Sequence, residues 1–228
     1  MGEGGRVSVI LPWSTTVHCP HRQAALEWAM ARWAAAGHEV VVGEHAGPWC
    51  KASAVEAGLT RATGQVLVVA DADVWCDTWG KALDAVTTGR AAWASPHTWV
   101  HRLDQRSTCQ VLGGEQPRTT MRHSEPRHRA MLGGGLVVLH RNTYTQVRLD
   151  ERFVGWGGED EAWARALQVL AGSPWRGGDG LWHLWHPPQE RLSRREGSRE
   201  SSALLRRYRA ARTRDQMLAL LEETRGKQ

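Results

Sequence analysis

The sequence is poor in cysteine and has no long apolar run. Its four cysteines are spread over 228 residues, and no two of them form a C-x-x-C pair. This spacing argues against both a zinc cluster and a disulfide framework, so we expect reduced thiols. No apolar stretch approaches the roughly 18 to 20 residues that a membrane helix needs, and the N-terminal segment is more typical of a first strand than of a signal peptide. We therefore expect a cytoplasmic protein with no membrane span.

Length and composition predict one α/β domain with a basic tail. Hydrophobic residues make up 41% and charged residues 23% of the chain, which is ordinary for a folded protein. The thirteen tryptophans are about four times average usage. We expect most of them in the core and a minority as flat platforms for a sugar or a base. The net charge of +5 lies in residues 190–228, which hold eleven Lys or Arg and six Asp or Glu.

The first 75 residues alternate between short apolar segments and helical ones. Apolar residues at helical spacing predict helices, and the β-branched runs between them predict strands buried on both faces of a sheet. We predict strands at residues 7–11, 39–45 and 65–75, and helices at residues 21–37 and 51–64. This order indicates a right-handed βαβαβ unit with a parallel sheet, which is the arrangement of a nucleotide-binding half domain.

The rest of the chain is less regular. Residues 97–130 carry six arginines, four histidines and three acids, with little periodicity apart from a short helical piece at residues 103–114. So long a polar excursion in a compact domain is more often a functional lid or substrate-binding loop than filler. Elsewhere we predict helices at 78–89, 155–172 and 213–223, a strand at 91–95, a strand running into a helix at 132–147, and an arginine-rich linker after 181–188.

Two aspartates end the apolar strand at residues 65–75. Alternate residues of an extended segment point the same way, so Asp71 and Asp73 would project from one edge of the sheet. Two carboxylates at the carboxyl end of a parallel strand could hold a cation and its phosphates. The alternative is that Asp71 caps a turn or helix and that Asp73 is a solvated surface residue.

Three segments carry a resemblance to a known family. They are the Asp71-Ala-Asp73 strand end, a Gly-Gly strand running into GWGGED within residues 132–167, and HLWH at residues 183–186. In this order they resemble the GT-A glycosyltransferases, and among them the inverting group of the β-1,4-galactosyltransferases and the family 2 enzymes. GWGGED is the most specific part, while the tail and residues 97–130 match nothing in the family.

This resemblance implies a fold, a domain layout and a donor. The fold would be α/β of the GT-A type, with a mostly parallel central sheet flanked by helices. Residues 1–188 would form the catalytic domain, with residues 97–130 as an acceptor-side loop or lid, and residues 189–228 would be a basic helical extension. The donor would be a UDP-sugar.

A metal site is also implied. A nucleoside diphosphate leaving group accumulates negative charge, so a divalent cation must neutralise it. Asp73 is the expected ligand, and Asp71 would touch the ribose or support the ion. His186 matches the family's histidine, whereas His183 stands where the galactosyltransferases have a methionine. Imidazole ligands favour Mn²⁺ over Mg²⁺; the alternative is that both histidines only pack against the tryptophans beside them.

The expected donor contacts lie at strand ends and at one helix start. A strand-ending Pro-aromatic pair, an acid for the uracil or ribose and a lysine for the diphosphate all match the family, and a helix N-terminus adds its positive field. Arg22 resembles a further family arginine. The predicted set is Pro12, Trp13, Glu44, Lys51, Asp71, Gly134 and Trp156.

The catalytic residues are predicted at the end of GWGGED. An inverting transfer needs one carboxylate opposite the leaving diphosphate, and Gly157 and Gly158 allow a turn that presents Glu159 and Asp160 at a helix N-terminus. By resemblance, Asp160 is the general base, Glu159 orients the acceptor and Trp156 offers a stacking face. The helix field would keep Asp160 ionised. The alternative is that these acids merely complement the helix dipole.

The predicted function is an inverting, metal-dependent transfer of a hexose or N-acetylhexosamine from a UDP-sugar to an acceptor hydroxyl. The acceptor is open: a small molecule, a glycan, a protein or nucleic acid. Because the tail and residues 97–130 are rich in arginine, one alternative is a DNA-modifying glycosyltransferase that acts on a hydroxylated base. A sugar nucleotidyltransferase is disfavoured because the first loop is not glycine-rich. An inactive nucleotide-sugar-binding module is disfavoured because both acidic pairs are intact.

Overall fold

The structure is a computed structural model that describes residues 6–16, 18–187 and 198–225. The strands are β1 (Val7–Ser14), β2 (Glu39–His45), β3 (Val66–Ala70), β4 (Val74–Trp75), β5 (Trp93–Arg102), β6 (His128–Arg129), β7 (Leu136–His140) and β8 (Trp175–His183). The helices are α1 (Pro20–Ala35), α2 (Lys51–Leu59), α3 (Trp79–Thr87), α4 (Gln105–Leu112), α5 (Arg141–Gln146), α6 (Glu159–Ala171), α7 (Ser198–Ala210) and α8 (Arg214–Arg225). The strands form one sheet in the order β2-β1-β3-β7-β5-β8-β4, with β6 paired to β5.

Five of the eight described strands run in one direction. β1 pairs in parallel with both β2 and β3, as the first 75 residues predict, and β5 pairs in parallel with β8. β7 runs antiparallel between β3 and β5, and the short strands β4 and β6 are antiparallel to β8 and β5. The prediction of a mostly parallel α/β sheet flanked by helices is confirmed, with β7 as its reversed central strand.

The sheet separates two apolar cores. Every residue of β3 is buried. Leu67 and Val69 contribute to a core shared with α2, α6, α7 and α8, while Val66 and Val68 contribute to one shared with α1, α3 and α4. A strand covered on both faces must be apolar throughout. Polar side chains therefore become available where β3 ends, at Asp71.

Two predicted segments have more regular structure than expected. Residues 198–210, predicted as an arginine-rich linker within a basic helical extension, form the helix α7, whose Leu204 and Tyr208 are buried in the core. Residues 97–102, assigned to the irregular excursion, extend β5, because this strand is paired on both sides and its polar residues occupy sheet positions. The domain boundary at residue 188 falls at the edge of residues 188–197, which lie outside the described residues, and it stays a prediction.

Other local predictions are confirmed. Gly37 follows α1 with a φ of +81°, which is the left-handed conformation that glycine supplies at helix ends. Thr213 and Gln216 form the capping box of α8, since each side chain accepts a hydrogen bond from the other's backbone N–H at 3.3 and 3.2 Å. All four cysteines are free thiols. Nine of the thirteen tryptophans lie in the two cores or pack against them.

None of the helices in the described part of the chain is both long enough and apolar enough to cross a membrane.

Candidate active site

A cavity of about 820 Å³ opens at the carboxyl end of β3. Its walls come from the ends of β1 and β3, the middle of β5, the glycine turn before β7, the start of α6 and the end of β8. This size is within the range of small-ligand pockets, and the carboxyl end of a strand is where α/β sheets bind ligands. The three large apolar side chains that are exposed in the described residues, Met131, Val154 and Trp156, all line this cavity.

The two aspartates after β3 lie in a turn, which corrects the expected extended geometry. β3 ends at Ala70, and residues 71–73 turn before β4 begins. The backbone of this turn is held by a hydrogen bond from the Asp71 N–H to the Gly135 carbonyl at 2.8 Å. As a result, the two carboxylates point at different partners: Asp71 contacts Lys51, and Asp73 faces two histidines.

Asp73, His183 and His186 bring three ligand atoms within 4.8 Å of one another. The His186 Nε2 atom is 3.1 Å from Asp73 Oδ2, and the His183 Nε2 atom is 3.8 Å from Asp73 Oδ1. Each Nδ1 donates a hydrogen bond to a backbone carbonyl at 2.8 Å, from His183 to Leu184 and from His186 to Pro187. These bonds fix the tautomer, so that the lone pair of each neutral ring is on the Nε2 that faces Asp73.

This arrangement suits a divalent cation. A lone pair and a carboxylate oxygen 3.1 Å apart need a proton or a cation between them. Burial lowers the pKa of His183, and the nearby Asp73 carboxylate offsets only part of that effect. Burial alone would raise the pKa of Asp73, but His183, His186 and Arg22 together hold it well below its ordinary value. The group is therefore an ionised carboxylate beside imidazole nitrogens, a donor set that fits Mn²⁺.

Arg102 is a site residue that the sequence did not reveal. Its Nη1 donates a hydrogen bond to His183 Nε2 at 3.2 Å, so it occupies the lone pair that a metal would need. Its Nε also pairs with Glu125 at 2.9 Å, on the exposed side. Coordination through His183 would require Arg102 to withdraw, whereas the lone pair of His186 faces only Asp73.

Lys51 links the aspartate turn to the start of α6. Its side chain is only 6% exposed, and its Nζ is 2.8 Å from both Asp71 Oδ1 and Asp160 Oδ1. Burial alone would lower the pKa of Lys51, but attraction to Asp160, Asp71 and Glu159 outweighs burial and raises it. Lys51 is therefore a fixed cation held by two carboxylates, and its predicted contact with a diphosphate stays a prediction.

The two acids of GWGGED begin α6. Gly157 and Gly158 have φ values of +105° and +98°, so the predicted glycine turn is present. Burial raises the pKa of Glu159 to about 7, with a further contribution from Asp160. Burial also raises the pKa of Asp160, assisted by Asp71 and opposed by Lys51. The ion pair with Lys51, in addition to the expected helix field, thus favours the ionised form of Asp160.

A second glycine turn packs against Asp160. A Cβ added to Gly133 would lie 2.2 Å from the Asp160 carbonyl oxygen, and one added to Gly134 would lie 3.0 Å from Asp160 Oδ2. Side chains at these positions would displace α6. The GGG sequence therefore allows the start of α6 to approach β7. Gly134 lines the cavity, and its contact with a donor stays a prediction.

The remaining predicted residues divide between cavity and surface. Pro12, Trp13 and Trp156 line the cavity. Trp156 is 49% exposed, stacks on Trp49 with ring centroids 6.0 Å apart, and lies 5.5 Å from the Arg22 guanidinium. Glu44 is exposed at the end of β2, outside the cavity lining, so its donor contact stays a prediction.

Comparison with known proteins places the fold. No family model matches the chain, and no curated protein matches its sequence. GalNAc-T7 crystallised with UDP, GalNAc and Mn²⁺ superposes with a TM-score of 0.52 at 13% identity, covering 88% of this chain and 47% of that one. This chain thus spans about half of the GalNAc-T7 chain.

Two further solved structures have lower scores. A mutant of Drosophila β1,4-galactosyltransferase 7 with manganese, UDP-Gal and xylobiose has a TM-score of 0.48 at 13% identity, covering 86% of this chain and 79% of that one. Glucosyl-3-phosphoglycerate synthase from Mycobacterium tuberculosis with Mn²⁺, UDP and glucosyl-3-phosphoglycerate has 0.45 at 15% identity, covering 95% and 80%. At 13% identity the likeness to GalNAc-T7 establishes the fold and leaves function to the site. The chain has the GT-A glycosyltransferase fold that its motifs predict.

Proposed function

We propose that this protein is an inverting, metal-dependent glycosyltransferase that moves a hexose or N-acetylhexosamine from a UDP-sugar to an acceptor hydroxyl. The observation that carries the proposal is the shared cavity: Asp73, His183 and His186 line one side of it, and Glu159 and Asp160 line another. A cation site and a partly buried carboxylate in one cavity are the two groups that such a transfer needs. On the same fold, GalNAc-T7 was crystallised with UDP and Mn²⁺.

The metal would be held by Asp73 and His186, with His183 joining when Arg102 withdraws. Bound there, Mn²⁺ would neutralise charge on the diphosphate as it leaves. Mg²⁺ fits less well, because it prefers oxygen ligands and keeps its waters. The hydrogen bonds from each Nδ1 to a backbone carbonyl would hold the rings in the ligating orientation without a metal.

Asp160 would remove the acceptor proton. The acceptor oxygen forms a bond to the anomeric carbon, the bond from that carbon to the diphosphate breaks, UDP leaves with the bonding electron pair, and the acceptor proton passes to an Asp160 oxygen. The raised pKa of Asp160 suits this role, because a base is most effective when its pKa is near the working pH. Lys51 would hold the carboxylate in place and ionised before the acceptor binds.

The acceptor would bind at the exposed apolar mouth of the cavity. Exposed apolar side chains grouped at one site commonly mark a binding surface. Here Met131, Val154 and Trp156 line the same cavity as Asp160 and Glu159. Trp156 offers a flat face to a sugar ring or another apolar face, and Glu159 would orient the reacting hydroxyl.

The direct test is a donor screen. Purified protein with Mn²⁺ is incubated separately with two UDP-hexoses and two UDP-N-acetylhexosamines, and UDP release from each donor is measured. Acceptors are then screened with the best donor. The anomeric configuration of the product, read by NMR, tests inversion. A product with the donor's configuration would refute the role of Asp160 as the base of a single displacement.

Two competing activities give different products. A sugar nucleotidyltransferase would release pyrophosphate, so UDP release without pyrophosphate separates it from our proposal. An inactive nucleotide-sugar-binding module would bind UDP-sugar in calorimetry yet turn over none with any acceptor.

The alternative that this protein is a DNA-modifying glycosyltransferase stays a prediction. In the excursion at residues 97–130 the acids Asp104, Glu115 and Glu125 all pair with arginines, which leaves Arg106, Arg127 and Arg129 without an acidic partner among the described residues. Such guanidinium groups could contact phosphates. Binding to duplex DNA that falls steeply with salt would support this subclass, and no binding at low salt would remove it.

A further inference from the structure

A buried histidine in the cavity wall has an incompletely paired ring. His97 lies on β5 and is 1% exposed, yet it belongs to the cavity lining. By distance and angle neither Nδ1 nor Nε2 forms a regular hydrogen bond with the described residues, and the weaker interaction with the Gly134 backbone can engage only one of them. Buried polar groups are nearly always paired, because an unpaired one loses its bonds to water without replacement. A buried ring in a ligand cavity with at least one unpaired nitrogen indicates that a partner is supplied by the ligand.

The ring lies beside the reacting groups of the proposed function. A Cβ added to Gly135 would lie 3.3 Å from His97 Nε2, so the ring tip faces the glycine turn that packs against Asp160. The glycines of this turn carry no side chains, and His97 forms part of the cavity wall. Burial and the nearby Arg176 lower the pKa of His97 to about 4, and Asp71 and the Gly134 backbone offset only part of this.

A neutral imidazole presents one donor and one acceptor. That combination complements a sugar hydroxyl, which can also donate and accept, whereas it offers little to a diphosphate, which only accepts. The cavity already has charged groups for the diphosphate and its metal, among them Arg22 and the Asp73 cluster. His97 and Asp160 both pack against the glycine turn at residues 133–135, so a sugar ring held over this turn would lie near both.

We propose that His97 is a specificity-determining residue that hydrogen-bonds a hydroxyl of the donor hexose and selects among UDP-sugars. This inference rests on the proposed function. His97 lies outside every motif that carries the resemblance. Its proposed role is to contact the sugar, whereas the roles proposed above concern the metal, the diphosphate and the base.

The test measures UDP release from UDP-glucose, UDP-galactose, UDP-N-acetylglucosamine and UDP-N-acetylgalactosamine with Mn²⁺. His97→Leu is expected to lower kcat/KM for the preferred donor about tenfold, the loss of about one hydrogen bond, and to narrow the differences among the four donors. His97→Gln keeps a donor and an acceptor and is expected to restore part of the preference. Affinity for UDP alone should be unchanged.

The matched control is His101→Leu. His101 is a second buried histidine of β5 with an unpaired ring nitrogen, but it stacks on Trp182 and lies outside the cavity lining. It should leave donor preference unchanged. Because leucine removes an unpaired polar group, His97→Leu should keep the melting temperature of the wild type or raise it.

Several outcomes would overturn the inference. The inference fails if His97→Leu keeps the donor preference of the wild type, if it loses UDP affinity as much as it loses kcat/KM, or if neither His97 variant folds. These results would show a diphosphate or structural role instead. Wild-type protein that releases UDP from none of the four donors would refute the proposed function itself, a result distinct from any of these.

Discussion

At the residue scale, Asp160 is the proposed general base. It lines the cavity, lies 2.8 Å from Lys51 and has a raised pKa. Asp160→Asn should lower the transfer rate by about 10² to 10⁴ and leave affinity for UDP-sugar and Mn²⁺ nearly unchanged. Steady-state rates and calorimetry measure the two effects. If the acids only complemented the helix dipole, the variant would lose a little stability and keep its turnover.

The metal ligands give a graded prediction. Asp73→Ala and His186→Ala should abolish Mn²⁺-dependent UDP binding, because each variant removes one of the two side chains proposed to hold the cation. His183→Ala should weaken binding less, since its Nε2 is already engaged by Arg102. Titration of UDP with and without Mn²⁺ measures all three. Full Mn²⁺ affinity in His186→Ala would show that the metal lies elsewhere.

Arg102 should oppose the metal. Its positive charge and its hydrogen bond to His183 both compete with a cation, so Arg102→Ala should tighten Mn²⁺ binding by about threefold to tenfold. Arg106→Ala is the matched control, because that arginine is exposed on α4 and outside the cavity lining. Mn²⁺ binding in the absence of nucleotide is the measurement. Weaker binding in Arg102→Ala would mean that the arginine supports the site.

The acidic pair at the start of α6 predicts a pH dependence. Burial raises the pKa of Glu159 to about 7 and also raises that of Asp160. Because the base Asp160 must be ionised, activity should be present above its raised pKa and lost as the pH falls through it. The acid limb of kcat/KM should therefore lie above the ordinary range of a carboxylate. An acid limb near pH 4 would contradict this.

At the element scale, the C-terminal helices belong to the core. α7 and α8 pack against α6, which presents Asp160. Leu220→Ala should lower the free energy of unfolding by about 2 to 5 kcal/mol, because the side chain is buried in the core. Leu218→Ala, on the same helix but only partly buried, should cost clearly less. Denaturant unfolding of both variants measures the difference, and equal losses would show that α8 does not depend on this contact.

Sequence reasoning succeeded where local signals were strong. The capping box of α8, the glycine turn before α6 and the apolar β3 each depend on a few adjacent residues. α7 was missed because its buried face is only Ser201, Leu204 and Tyr208 within a run of arginines. The turn at residues 71–73 was also missed, because its shape is set by a hydrogen bond to Gly135, far away in the sequence.

At the scale of the whole molecule, the motifs predicted which residues come together at the cavity but not which ion pairs they form. Asp73 with His183 and His186 followed from the family's motif order. The ion pairs of Lys51 with Asp71 and Asp160 did not, because they join three separate elements. His97 and Arg102 carry no motif at all, and only the close approach of β5 to the glycine turn and to β8 brings them into the cavity.

The proposed function is tested by measuring UDP release from a panel of UDP-sugars by the wild-type protein and by Asp160→Asn, with Mn²⁺ and with a chelator. We expect UDP without pyrophosphate from at least one donor, loss of that activity with the chelator, and loss in Asp160→Asn despite retained Mn²⁺-dependent UDP binding. Equal UDP release with Mn²⁺ and with the chelator, or no Mn²⁺-dependent UDP binding at all, would contradict it.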